Sequence, residues 1–391
     1  MSRSSTGPPR LDDNVRTRQE RAAHEGRPLL HPLAAIGLRR LTSLLIEHGG
    51  IAPRFAHQLA IIYAGGVLRL PGCAVEHLRV ARRVQAKRFS PPPIFIIGHW
   101  RSGTTFLHNL LSRDPQFCFP TVVDALRPYE FFPGPLDFIT RAMVLHSLPA
   151  TRPMDDVPLN PDFPQEDELA LATMGAPSFF HCFYFPNTMS QTFASDVLFR
   201  GIAPTRFESW RSDLRYYLAK ISICQDNRRL LLKNPAHSAR LVELLRMFPD
   251  AAFIHIHRDP RDVLPSTRKL YRTVLPLLAL QDYELTAVER HIAWSYPALM
   301  DALFGGLAQL PSSQRVEVAY DDLLRDPLAT VESIYRSLGL QGFEGARAAM
   351  QSMIRPAGAA PSGTDDGDFA FGKTMAGTLA PYRQRLGYGR H

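Results

Sequence analysis

Short apolar runs recur along the chain at Ile94–Ile97, Leu230–Leu232 and Ala252–His257. Each is too short for a helix and rich in branched or aromatic residues, so each predicts a buried strand. In the third, Phe253, His255 and His257 alternate with Ile254 and Ile256. Val316, Val318 and Tyr320 alternate in the same way and predict a late strand. After each run the apolar spacing turns helical. Phe106, Leu107, Leu110 and Leu111 follow the first run, and Leu241, Val242, Leu244, Leu245 and Phe248 follow the second. Ser238 is the expected cap of that second helix. Asp259 and Pro260 open a helix after the third run, where Pro265 predicts a kink or an early end. Asp326-Pro327 opens another, through Val331, Ile334 and Leu338 to a stop at Gly339. Strand alternating with helix predicts an α/β fold with a central parallel sheet flanked by helices.

Outside these units the pattern is helical or irregular. Residues 29–88 predict a helical N-terminal extension, with Leu41, Leu44, Leu45 and His48 on one face and Gly49-Gly50 as a stop. Ala52–Leu70 is a denser apolar stretch that Pro71 is expected to end. A basic patch follows at Arg79, Arg82, Arg83, Lys87 and Arg88. Two readings stand: a helix packed on the domain with solvated charges, or an interfacial helix giving peripheral membrane contact through residues 51–88. Residues 115–165 are irregular and aromatic. Glu166-Asp167-Glu168 begins a helix, either as acidic complements of its dipole or with a carboxylate facing a substrate. Phe179, Phe180, Phe183, Tyr184 and Phe185 predict apolar core or an acceptor wall. Arg206–Cys224 reads as a helix with Trp210, Leu214, Tyr217, Leu218 and Ile221 inward.

Composition narrows the classes. The chain has 391 residues and a net charge of +8, mostly from Arg. That suits anionic ligands, while no nucleic-acid motif accompanies it. Cys73, Cys118, Cys182 and Cys224 are widely spaced and suggest neither a zinc site nor a disulfide framework. No apolar leader pattern appears in the polar first residues, so the expected location is cytoplasmic, with the membrane as a peripheral option.

The chemistry concentrates in GHWRSGTT, Gly98–Thr105, between the first strand and its helix. Free amides at a helix start and the positive end of its dipole make an anion cradle. The spacing of Gly98 and Gly103 matches a Walker A loop, yet Thr104 stands where that motif has Lys, and the cation is Arg101. This arrangement resembles the 5′-phosphosulfate loop of sulfotransferases, which use 3′-phosphoadenosine 5′-phosphosulfate (PAPS). A second block, Arg258-Asp259-Pro260-Arg261-Asp262 with Ser266, looks like the 3′-phosphate motif of the same family. The arrangement Arg152–Asp156 with Glu166–Glu168 looks like its bacterial branch.

The resemblance implies a P-loop NTPase-like sulfotransferase fold over residues 89–345. Around it stand a disordered stretch 1–28, the helical extension 29–88 and a tail 346–391 that could close over the nucleotide, with Lys373 as a candidate contact. It implies that Arg101 meets the bridging oxygen, that Ser102, Gly103, Thr104 and Thr105 cradle the 5′-phosphate, and that Arg258 and Ser266 bind the 3′-phosphate. Lys233, at the end of the second strand, matches the family's catalytic Lys. The family's His two residues later is Pro235 here. Glu166, Glu168 and His237, with Asp124 behind them, are therefore the candidates for taking the acceptor proton. The expected reaction is sulfonate transfer from PAPS, without a metal, to a hydroxyl or amine of a small-molecule or lipid-like acceptor. The rivals are a nucleotide kinase, which wants the missing loop Lys and a Mg²⁺-holding acid, and a non-catalytic membrane-surface protein with a degenerate nucleotide fold.

Overall fold

A computed structural model describes residues 31–132, 160–354 and 375–389, with isolated positions between 138 and 146. The N-terminal 1–28 stretch, the Arg152–Asp156 half of the acidic arrangement and Lys373 lie outside the described residues. Among the described residues five parallel strands form the sheet: β1 (Ile94–Ile97), β2 (Phe117–Cys118), β3 (Arg229–Lys233), β4 (Ala252–His257) and β5 (Arg315–Ala319). Their order is β2-β3-β1-β4-β5. All four residues of β1 are buried, as an apolar strand covered by helices on both faces requires. Its registers, Ile96 beside Lys233 and Ile97 beside His255, bring the C-terminal ends of β1, β3 and β4 to one edge.

That edge is where a doubly wound sheet presents its ligands. The Gly98–Gly103 loop leaves β1 and enters the helix Thr104–Leu111. Lys233 ends β3, and Arg258 follows β4 directly. The helix after β4 spans Pro260–Leu278 and continues through both Pro265 and Pro276. Pro265 removes one backbone bond, but a buried face running from Val263 to Leu275 and the Asp259 cap hold the helix together.

Other expectations shift. Ser238 caps nothing: its hydroxyl accepts from the Gly98 amide at 2.9 Å and donates to the Gly98 carbonyl at 3.1 Å. Asn234 caps the short turn Pro235–Ala239 instead, and the following helix begins at Leu241. Tyr320 opens the helix Tyr320–Arg325 and does not extend β5. The helix expected to end at Pro71 runs on from Ala56 to Ala86. Leu33, Ile36, Leu41, Leu44, Phe55 and Ile62 share one buried cluster with Phe95, Leu232 and Phe253, so the start of the N-terminal region packs into the main core. The 345/346 boundary falls inside the helix Phe343–Gln351.

Candidate active site

The loop is built by backbone geometry. Gly98 has φ +144° and Gly103 φ +94°, and Arg101 between them takes φ +69°. A side chain on Gly98 would strike the Ile256 carbonyl, its Cβ only 2.2 Å from that oxygen. Left-handed residues on either side of Ser102 turn successive amides, and the first amides of the Thr104–Leu111 helix, toward a common side. Ser102 is buried, and its hydroxyl lies 2.7 Å from the His99 carbonyl and 3.1 Å from that of Ile256. It fastens the loop to the end of β4. Thr104 is also buried, while Thr105 and Arg101 are half-buried.

The two phosphate-type motifs meet directly. Arg101 donates from Nε to the Ser266 hydroxyl at 2.8 Å, across 165 residues of sequence. Tyr320 joins them from the other side. Its ring occupies the space a Gly103 side chain would fill, 2.2 Å from an ideal Cβ. The Arg258 guanidinium lies 5.1 Å from the centre of the same ring, a cation–π distance. Asp259 is taken by Arg261, at 2.9 Å from the backbone amide, and by Arg383, at 3.0 Å. Arg258 itself approaches Asp262 only at 3.5 Å. Arg383 belongs to the helix Ala376–Arg385, and the Tyr388 hydroxyl just beyond lies 3.1 Å from Nδ1 of His257. The described end of the chain therefore packs beside the second motif. Burial, with the neighbouring His255 second, lowers the His257 imidazole to about 4, so it is neutral near pH 7.

Lys233 contacts Glu166 at 2.5 Å, with side chains 4% and 15% exposed respectively. Glu166 sits at the N-cap of the helix Asp167–Met174, but its side chain makes no capping bond and reaches Lys233 instead. The other two proton-taking candidates go elsewhere. Glu168 is fully buried and held by Arg240 at 2.8 and 3.2 Å, Asn234 at 2.7 Å and the Phe179 amide at 2.5 Å. Burial would raise its carboxyl, yet Arg240, with His237 and Asn234, together hold it below the ordinary range. His237 is buried too, its Nε2 2.7 Å from Asp167 and its ring edge-on to Phe95. Both residues are fully buried, at 0% exposure. Asp124 closes a capping box with Thr121.

Some members of the site were not singled out from sequence. Tyr320 and Arg383 are ordinary in isolation and matter only through the fold. Trp100, inside the loop, stacks on Phe179 with ring centres 4.0 Å apart. This ties the loop to the aromatic segment, where Phe179, Phe183, Tyr184 and Phe185 are buried as core.

The profile described as "Sulfotransferase family" matches residues 92–345, well over half of the chain. The chain belongs to the sulfotransferase family. It is 34% identical over 263 residues to the proteins named omega-hydroxy-beta-dihydromenaquinone-9 sulfotransferase Stf3 of Mycobacterium bovis and Mycobacterium tuberculosis. That match covers 67% of this chain and 66% of each relative, just under two thirds of their length. Two solved sulfotransferases share the fold. STF1 from Mycobacterium tuberculosis H37Rv gives a TM-score of 0.66 at 20% identity, covering 93% of this chain and 98% of that one. STF9 from Mycobacterium avium gives 0.65 at 19%, covering 96% and 97%.

Proposed function

We propose that this sulfotransferase moves a sulfonate group from PAPS to the hydroxyl of an apolar, lipid-like acceptor. The observation that carries the donor is the 2.8 Å contact between Arg101 and Ser266. It joins the amide-lined loop at a helix start to Ser266, on the helix that begins two residues after Arg258. That donor set fits a ligand with a phosphate at each end. When bound, PAPS would supply an activated sulfonate on a good leaving group. Ser102, Gly103, Thr104 and Thr105 would hold the 5′ end through backbone amides and the Thr hydroxyls, with Ser102 bracing the loop from behind.

Arg101 and Lys233 are the two cations positioned to offset charge as the leaving group departs. Glu166, beside Lys233 and partly exposed, is the proposed proton acceptor from the attacking hydroxyl. Lys233 fixes the position of that carboxylate by direct pairing. Glu168 and His237 would act from behind: they set the position of the Asp167–Met174 helix, and so of Glu166 at its start. The acceptor class is supported by the relatives, whose name specifies an omega-hydroxylated dihydromenaquinone.

Titration calorimetry with adenosine 3′,5′-bisphosphate and with ATP·Mg²⁺ tests the donor. The bisphosphate is expected to bind at least about tenfold tighter, since charge-assisted contacts from Arg258 contribute roughly 1.5–3 kcal/mol. Tighter ATP·Mg²⁺ binding would overturn the assignment. Mass-resolved screening of apolar alcohols with labelled PAPS then tests the acceptor.

A further inference from the structure

The helix Ala56–Ala86 has two unlike faces. Its inner face is fastened to the body. Ile62, Val80 and Val84 are buried there, Arg69 pairs with Glu130 at 2.8 Å, and Glu76 pairs with the buried Lys220 while accepting the Phe132 amide at 2.8 Å. The outer face, followed at 100° per residue, carries Ile61, Ala64, Leu68, Pro71, Val75 and Leu78, all exposed. Leu68 is 78% exposed and Leu78 81%. No charged residue interrupts that face from Ala60 to Leu78. Then the sign changes abruptly: Arg79 and Arg82 continue the same face, and Arg88 follows just past the helix end, all three exposed. None of the three pairs with a carboxylate among the described residues.

By length and composition this is the one helix among the described residues that could cross a membrane, and little of its apolar stretch is buried in the protein. Two features argue that it does not cross. The ion pairs of Arg69 and Glu76 hold its inner face against folded protein. Pro71, on the outer face, leaves the Val67 carbonyl without its helical donor, a defect that water at an interface can satisfy and hydrocarbon cannot.

We propose that this face is a docking surface for an anionic lipid bilayer, on which the helix lies parallel to the membrane plane. The leucine and valine side chains enter the acyl boundary, and Arg79, Arg82 and Arg88 meet the negative headgroups. The basic end selects lipid over an uncharged apolar partner, because it places cations where acidic headgroups would sit beside the buried stripe. The assignment stands on this surface alone and does not depend on which donor or acceptor the enzyme uses.

Flotation of the full chain with phosphatidylcholine vesicles, with and without phosphatidylglycerol, tests it. The chain is expected to float with the anionic vesicles and to be released by salt. Leu68→Glu/Leu78→Glu alters only exposed positions, and it should cut the bound fraction at least about tenfold with melting and bisphosphate binding unchanged. Arg79→Glu/Arg82→Glu should abolish the preference for phosphatidylglycerol. Two results would overturn the proposal. One is a wild-type chain that stays unbound with both vesicle types. The other is a wild-type dimer in sedimentation that the double Leu variant dissociates, which would make a second copy the occupant of this face.

Discussion

Two neighbouring regions use the same kinds of side chain for different ends. At the rim of the site, Glu166 meets Lys233 where both retain some contact with solvent. Directly behind, Asp167 and Glu168 meet His237, Asn234 and Arg240 with essentially none. One run of three acids thus faces one strand end and the turn that follows it. What separates the proposed proton acceptor from its two buried neighbours is depth: a helix start points successive residues in different directions, and only Glu166 keeps a partly exposed side chain. The buried layer fixes where the rim stands.

The sharpest way to break this comparison is to remove a member of the buried layer. Glu168→Ala leaves the Arg240 guanidinium, fully buried, without its carboxylate, and loss of one partner of such a pair costs about 3–5 kcal/mol. Urea denaturation should show that loss. The pH dependence carries a sign. The folded Glu168 carboxyl is held below its ordinary 4.5: burial would raise it, but Arg240, with His237 and Asn234, together lower it. Its contribution is therefore fully present above pH 4.5 and is lost as pH falls through the lower folded value. Asp196, likewise depressed by His181 and Arg206 against its burial, adds to the same acid limb. The Glu168→Ala chain should show a shallower acid limb than the wild type. If its stability and acid limb match the wild type, the layer is not what holds the helix.

At the rim the same change of charge should act on rate. Glu166→Gln keeps the shape and removes the proposed proton acceptor, so turnover is expected to fall about a hundredfold. Stability should fall by roughly 1–3 kcal/mol, since Gln can still accept from the buried Lys233 ammonium but no longer opposes its charge. Donor affinity should hold. Single-turnover kinetics with labelled PAPS, beside a melting curve, separates the two effects. Full activity in Glu166→Gln would remove the proton-accepting role and leave Glu166 as a tether for Lys233.

The difference between rim and layer was only partly legible in the sequence. The strand-loop-helix at Ile94–Leu111 and the Arg258–Ser266 block were readable because their signals are local: apolar runs, glycines at fixed separation, a cap followed by proline. The depth of Glu168 and His237 was not, since acids and a histidine in a polar stretch look alike until distant segments enclose them. Ser238 looked like a cap because its neighbours allowed it; the Gly98 backbone, 140 residues earlier, claims its hydroxyl. Pro71 and Pro265 both looked like breaks. In each case packing on one helix face outweighs the single lost bond. The two-residue β2 carries too little pattern to read at all.

Ser266 offers the finest division, and the smallest effect. Its hydroxyl accepts from Arg101, so it serves either as a brace for that guanidinium or as a donor to a 3′-phosphate. A brace would matter to any ligand that Arg101 touches. A phosphate contact would matter only to ligands carrying the 3′ group. Ser266→Ala should therefore weaken adenosine 3′,5′-bisphosphate by about three- to tenfold, the 0.5–1.5 kcal/mol of one hydrogen bond, and leave adenosine 5′-monophosphate unchanged. Arg258→Ala should show the same selectivity with a larger loss, because its contact is charge-assisted. Equal weakening of both nucleotides by Ser266→Ala would move the residue to the 5′ side, as part of the loop's own support, and would leave Arg258 to hold the second phosphate without it.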